Sequence, residues 1–358
     1  MHDIDRATAA TSLEQPDVAA IVSRLLQVET RQQQGESIAF HGVIRADAAE
    51  HLEEVRRLLH PRQLGLWVSP GGGRAAVLVG PLDTHAGQGS NPVWNVVLVA
   101  ATLATATWAG AFHLGIDVRT EPGRWLVGVP YALALLTILG IHELGHYFTA
   151  RRLGIQVSLP YFIPAPGYLG TFGAFIRMQG IVRDRAAYFD VAIAGPLAGL
   201  VAALVALAIG LRGEAAAPHG GVVPASSALF AGVYALMGGS SPRESVVLGP
   251  LAFAGYLGLV VTALNLAPIG QLDGGHVAYA LLGRRRAEIL GTAVIGLMVV
   301  GGFLYGGHWL MWALIAWLIA GRSHPAALDE ARPVGAGRAL LGGLALLIFL
   351  AIVLPWPS

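Results

Sequence analysis

Seven apolar runs, at about residues 93–114, 125–149, 187–211, 246–268, 287–304, 308–321 and 338–355, leave this chain little choice but a lipid bilayer. A helix of about 20 apolar residues matches a hydrocarbon layer of about 30 Å thickness, and in lipid each segment must satisfy its own backbone polar groups. The 358 residues are 54% hydrophobic and 13% charged, more apolar surface than one soluble core of this length encloses. A polytopic α-helical membrane protein follows. The run from Ala225 to Met237 is too short to cross comfortably. Leaving it out puts Arg151, Arg152 and Arg284–Arg286 on one face, which the positive-inside rule assigns to the cytosol, with the C-terminus outside. Arg119, Arg124, Arg212 and Arg243 fall on the other side, so the bias is imperfect.

Before the membrane the pattern differs. Residues 1–37 are a polar N-terminal segment with one weak helical pattern at Val18–Val28. Ile38–Ile44 then reads as a strand, and Ala46–Leu59 as an amphipathic helix with Leu52, Val55, Leu58 and Leu59 inward. Leu64–Val68 and Ala75–Val79 read as strands around Ser69–Gly73. Residues 38–80 are therefore a small soluble α+β module. A linker at 81–92 leads to a membrane core at 93–321, and residues 322–358 supply a further linker and the last span. The N-terminus lacks the basic-then-apolar order of a signal peptide, and no targeting peptide is evident. That favours a bacterial inner (plasma) membrane over an organelle, with the module in the cytosol. A formal charge of +1 gives no case for nucleic acid, and the absence of Cys removes disulfides, thiolate ligands and cysteine nucleophiles.

Inside the second run stands His142-Glu143-Leu144-Gly145-His146, where ionisable groups are costly and normally functional. On a helix His142 and His146 share one face and reach the same ion, and Glu143, one position round, reaches a water beside it. Two histidines leave a zinc site short of a third protein ligand. Asp273 is the best candidate, in Asn265-Leu266-Ala267-Pro268-Ile269-Gly270-Gln271-Leu272-Asp273-Gly274-Gly275-His276, where Pro and Gly break the helix and irregular backbone can deliver a carboxylate inward. Residues 155–185 are apolar yet broken by Pro and Gly, which reads as a re-entrant hairpin lining the site. The architecture expected is thus about seven spans plus that hairpin and the N-terminal module.

These segments resemble those of the site-2 proteases, intramembrane zinc metalloproteases. His142–His146 resembles the family's HExxH, Asn265-x-x-Pro268-x-x-x-Leu272-Asp273-Gly274 its second signature, and Gly170-Thr171-Phe172-Gly173-Ala174-Phe175 the hairpin between them. Gly195-Pro196-Leu197-Ala198-Gly199 resembles the small-residue start of the following helix. The long Asn265–Asp273 spacing, Tyr161-Phe162-Ile163-Pro164 and the N-terminal module resemble the PDZ-free branch of chloroplasts and bacteria. The resemblance implies one Zn2+ per chain held by His142, His146 and Asp273, with Glu143 as general base. It implies substrate contacts from Asn265, Gly170, Thr171, Phe172 and Gly173. Its clients are membrane-tethered proteins with a transmembrane helix, such as anti-sigma factors, cut within or near that helix after local unwinding. The oligomeric state is unreadable.

Two other readings compete. One is a membrane metalloprotease with a Glu third ligand, for which no ligand motif is present. The other is a non-enzymatic membrane binder or transporter retaining a metal site; the joint presence of His142, Glu143, His146 and Asp273 and the lack of internal repeats count against it. Beside the sharper roles, His276 reads as a loop histidine, Gly195–Gly199 as close helix packing, and Arg284–Arg286 as a topology anchor.

Overall fold

The computed structural model describes residues 16–34, 37–62, 64–71, 74–81, 92–155, 157–178, 182, 184–213, 221–224, 227–239, 245–305, 308–320 and 334–354. The N-terminal region is α+β. It contains α1 (Pro16–Val22), β1 (Leu26–Gln34), β2 (Ser37–Ile44), α2 (Ala48–Leu59), β3 (Leu64–Gly71) and β4 (Arg74–Pro81). The strands form one antiparallel sheet in the order β1-β2-β4-β3. Leu52, Val55 and Leu59 of α2 pack on Ile38, Phe40, Val77 and Val79, and Val18 and Val22 of α1 close the core. Leu58 departs from the expected pattern and is exposed, because the buried stripe runs through 52, 55 and 59 at helical spacing. The sheet also takes in Leu26–Gln34, N-terminal of the boundary expected at 38. Apart from Leu26 the side chains described there are exposed, so an edge strand wet on both faces carried no apolar alternation to read.

Helices occupy all seven apolar runs. They are α3 (Pro92–His113), α4 (Val129–Arg152), α5 (Arg185–Gly213), α7 (Pro250–Leu266), α9 (Arg284–Tyr305), α10 (His308–Ala320) and α11 (Ala336–Val353), with α6 (Ala228–Leu236) and α8 (Asp273–Leu282) between them. Five of the described helical segments are long and apolar enough to cross a membrane: Pro92–His113, Pro122–Arg152, Arg185–Gly213, Arg284–Leu304 and Ala336–Val353. The helix α7 has 17 residues and α10 has 13. Within the doubtful Ala225–Met237 run, α6 is nine residues long, with Ser227 accepting from the Phe230 backbone N–H as its N-cap; residues 225 and 226 lie outside the described set. A short ladder of β7 (Gly221–Pro224) and β8 (Ser245–Leu248) brackets it.

Lipid supplies no hydrophobic drive between helices, so their association depends on close packing of small residues. The centre of the bundle is α5, which packs against α4, α7 and α8. Tyr131, Leu135 and Ile138 of α4, Leu200, Ala203 and Leu207 of α5, and Phe253 and Leu259 of α7 form one buried cluster. A Cβ at Gly258 would collide with Ala203 and Ile138, so the glycine sets how closely α7 approaches its neighbours. Between α4 and α5 the chain forms a hairpin of β5 (Tyr161–Pro164) and β6 (Thr171–Phe175), in the stretch whose Pro and Gly residues exclude a helix.

Candidate metal centre

The helix α4 places His142 and His146 one turn apart, with their Nε2 atoms 3.2 Å from each other. Asp273 Oδ2 lies 3.4 Å from His142 Nε2 and 3.3 Å from His146 Nε2. Both histidines are buried, and the three groups form a potential metal site. The triangle tests the metal directly. Tetrahedral zinc with bonds of about 2.0–2.1 Å has ligand-to-ligand edges of about 3.3–3.4 Å, and the three edges measured here are 3.2, 3.3 and 3.4 Å. Two nitrogens and one carboxylate oxygen are also a donor set zinc accepts, leaving a fourth position open.

Parts of the chain that the motif does not contain hold these ligands. His146 Nδ1 lies 2.8 Å from the Val191 carbonyl, so the N–H sits on Nδ1 and the Nε2 lone pair faces the triangle. Behind the two rings runs α5. Gly195 lies against the His146 ring, where a Cβ would overlap Nε2, and Gly199 lies against His142, where a Cβ would come within 3.0 Å of Nδ1. Two histidines four apart thus face two glycines four apart on the next helix. The reading of Gly195–Gly199 as packing is correct, and the partners of that packing are the ligand rings.

Asp273 reaches the triangle differently from the expectation. The preceding helix ends at Leu266, residues 267–272 form the irregular segment, and Asp273 opens α8 in its first turn. Gly274 and Gly275 lie inside that helix, where a Cβ would strike the Leu266 and Gly270 carbonyls. They seat the new helix on the preceding loop. At this first position the carboxylate also complements the positive end of the helix dipole.

Glu143 is buried and lines a cavity of about 250 Å3 together with His142, His146 and Asp273. Ile176, just after β6, lines the same cavity. Asn265 Nδ2 lies 3.3 Å from His142 Nε2 and lines the same cavity. The four hairpin residues expected to touch substrate do not line it. Gly170 is buried with φ +79 against the Ala106 backbone, and the Thr171 hydroxyl donates to the Ile163 carbonyl at 2.8 Å. Phe172 is 80% exposed, and Gly173 has φ +103. The hairpin residues on the cavity wall are Ala174, Phe175 and Ile176. The backbone of Arg177 is engaged on the β5 side, its carbonyl accepting from Ser158 N–H at 3.0 Å and its N–H donating to Ser158 Oγ at 2.9 Å. Strand alternation then turns the Ile176 backbone toward the cavity, in agreement with its place in the lining. His276 stacks on Tyr188, centroids 5.7 Å apart, and lines the cavity outside the triangle. No sequence signal pointed to Val191, because it acts through a backbone atom.

A buried His-His-Asp triangle with an adjoining glutamate thus sits among apolar helices of membrane-spanning length, a donor set that suits a zinc ion. Residues 130–305 match the family model Peptidase family M50. Among curated proteins, it is 36% identical over 236 residues to Probable zinc metalloprotease EGY2, chloroplastic, of Arabidopsis thaliana, covering 64% of this chain and 42% of the relative. Its identity to the protein of that name from Oryza sativa subsp. indica is 34% over 237 residues, 64% of this chain and 43% of the relative. Probable zinc metalloprotease EGY1, chloroplastic, of Arabidopsis thaliana is 33% identical over 240 residues, 63% of this chain and 43% of the relative. The chain thus spans less than half the length of these relatives. No solved structure matches.

Proposed function

We propose that this chain is an intramembrane zinc metalloprotease that hydrolyses peptide bonds within or near the transmembrane helices of membrane-tethered proteins, the chemistry of regulated intramembrane proteolysis. The observation that carries the reading is the His142–His146–Asp273 triangle, with edges of 3.2–3.4 Å and Glu143 in the same cavity. Zinc, when bound there, polarises the scissile carbonyl and acidifies a water. Glu143 accepts a proton from that water as its oxygen adds to the carbonyl carbon. It then delivers the proton to the amide nitrogen as the C–N bond breaks. Asn265, beside His142, is the donor for the developing oxyanion.

An unwound substrate segment lies along the free edge of β6 and pairs with backbone groups at Ala174 and Ile176. Phe172 and the glycines on either side of the tip shape the entrance to that edge. In this reading the chain has seven spans, with α7 and α10 as the short ones and the β5–β6 hairpin re-entrant. The soluble module ending near Pro81 is cytosolic, the membrane core covers 93–321, and the membrane is a bacterial inner membrane. The bilayer and client proteins with one transmembrane helix are its partners. The test is cleavage of a synthetic single-span peptide by detergent-purified wild type and Glu143→Gln, with zinc measured in both. Cleavage lost while zinc is retained supports the reading. Equal cleavage by the two proteins overturns Glu143 as the base.

A further inference from the structure

Three consecutive carbonyls at the hairpin tip are each met by a side chain from a neighbouring helix. His113 Nε2 lies 2.7 Å from the Tyr168 carbonyl, the Tyr131 hydroxyl donates to the Leu169 carbonyl at 3.0 Å, and the Thr105 hydroxyl lies 2.6 Å from the Gly170 carbonyl. Thr105 and His113 belong to α3 and Tyr131 to α4. Where the hairpin begins, Asn95 Nδ2 of α3 donates to the Pro160 carbonyl at 2.6 Å. About 27 Å of helix separates Asn95 from His113, so α3 backs the whole hairpin. The grip is tight as well as polar. The backbone of Gly170 presses on Ala106 where no Cβ would fit, and the His113 ring packs edge-on against Tyr168 and Phe253, with centroids at 4.4 and 4.6 Å.

None of these side chains lines the 250 Å3 cavity or enters the metal triangle. Their immediate effect is to satisfy turn carbonyls that lipid could not. Their position gives a second consequence, because the tip they fix is the start of β6, whose far end, at Ala174 and Phe175, lines the cavity that holds Glu143. We propose that Thr105, His113 and Tyr131 form a latch of positioning residues that sets the register of the β6 edge against Glu143, and hence which substrate bond is cut. The role rests on the reading of β6 as the substrate platform. A strand edge that slips by one residue presents the opposite set of groups, so a loosened tip spreads the cuts over neighbouring bonds.

The absence of cysteine allows a clean test. Phe172→Cys, at an exposed position beside the tip, takes a single nitroxide spin label, and Val201→Cys, exposed on α5, serves as the control. Thr105→Val with Tyr131→Phe removes two of the three bonds at nearly constant shape, and Thr105→Ser keeps its hydroxyl. The label at 172 is expected to become more mobile in the double variant, with the Thr105→Ser protein and the label at 201 unchanged. In parallel, unlabelled proteins cleave a synthetic single-span peptide, a Leu/Ala helix broken at its centre by Asn-Gly-Gly, and products are mapped by mass spectrometry. One principal cut by wild type becomes several adjacent cuts in the double variant, with KM raised about 5-fold for each bond lost. Should the double variant not fold, Tyr131→Phe alone carries the same comparison.

An unchanged label would overturn the latch. A loosened label with one unshifted cut would overturn its control of register, since a merely structural role leaves the cut site where it was. A wild type that cleaves nothing would instead overturn the protease reading and this role with it, a result distinct from a rigid label beside normal cleavage.

Discussion

Gly195→Ala adds one methyl group to α5, the central helix of the bundle, and is expected to remove the metal. The new Cβ falls on the His146 ring, with Nε2 the nearest atom. Non-bonded carbons settle at about 3.5–4.0 Å, so the ring must retreat by more than about 1 Å. A metal site tolerates shifts of only about 0.2 Å in its ligand distances. The 2.8 Å contact of Nδ1 with the Val191 carbonyl is lost in any such retreat, and with it the tautomer that frees Nε2. Loss of an outer partner alone costs about 10–100-fold in metal affinity, so loss of the ring's position costs more than about 100-fold. Helix propensity acts in the opposite direction, since Ala in place of Gly inside a helix stabilises by about 0.5–1 kcal/mol. Zinc should therefore disappear from a protein whose helices remain.

A graded series checks the cause. Gly199→Ala meets His142 Cβ and Nδ1 at 3.0 Å and requires a shift of only a few tenths of an ångström, whereas Gly343→Ala, in α11, meets nothing within 4 Å. The expected order of zinc affinity is wild type equal to Gly343→Ala, then Gly199→Ala, then Gly195→Ala. Zinc per chain, measured by mass spectrometry after dialysis against a graded series of chelator concentrations, gives the order, and circular dichroism reports the helices. Wild-type affinity in Gly195→Ala, or an equal loss in Gly343→Ala, would refute the reasoning.

Two further substitutions separate binding from chemistry. Asp273→Ala opens the triangle, and zinc in purified protein should fall from about one per chain to a trace; full retention would move the third ligand elsewhere. Glu143→Gln preserves shape and zinc but removes the proton acceptor, so cleavage of a single-span peptide should fall by about 10²–10⁴-fold. A parallel loss of zinc would mean that the carboxylate holds the metal instead of moving a proton.

The His142–His146–Asp273 triangle was legible because the two histidines carry their geometry in their spacing, and because a carboxylate after Pro268 in an apolar stretch has few explanations. What surrounds the ligands was not. The Val191 carbonyl is a backbone group of the kind present at every residue, so no side chain announces it. Gly274 and Gly275 looked like helix breakers, although each sits inside α8 because a neighbouring carbonyl occupies the space a Cβ would need. The same limit applies to the hairpin. Its Pro and Gly residues exclude a helix, yet which of its residues face the cavity depends on where α3 grips the tip, a tertiary fact. In the soluble region, β1 escaped notice because it sits at the sheet edge and presents exposed polar side chains. A strand of that kind owes its conformation to its partner, here β2.

Metal removal tests whether packing or zinc brings α8 to α4. The cluster joining Ala150 of α4, Tyr188 and Val191 of α5, and Ala278 and Tyr279 of α8 includes none of the three ligands, and Gly258 fixes the approach of α7 without them. Each ligand is also supported from behind, His146 by Val191, His142 by the surface at Gly199, and Asp273 by the loop under Gly274 and Gly275. A small zinc domain that lacks such a core unfolds when its metal is chelated. This chain should not. Zinc then contributes only its binding linkage, about 2.7 kcal/mol at a hundredfold excess over Kd. At about 2–4 °C per kcal/mol in domains of moderate size, that lowers the unfolding temperature by no more than about 10 °C. Chelated protein is expected to keep its helical dichroism, lose peptide cleavage, and recover both unfolding temperature and cleavage when zinc is returned. Helix lost on chelation would mean that the metal assembles the bundle, and packing could no longer account for a triangle with edges of 3.2–3.4 Å.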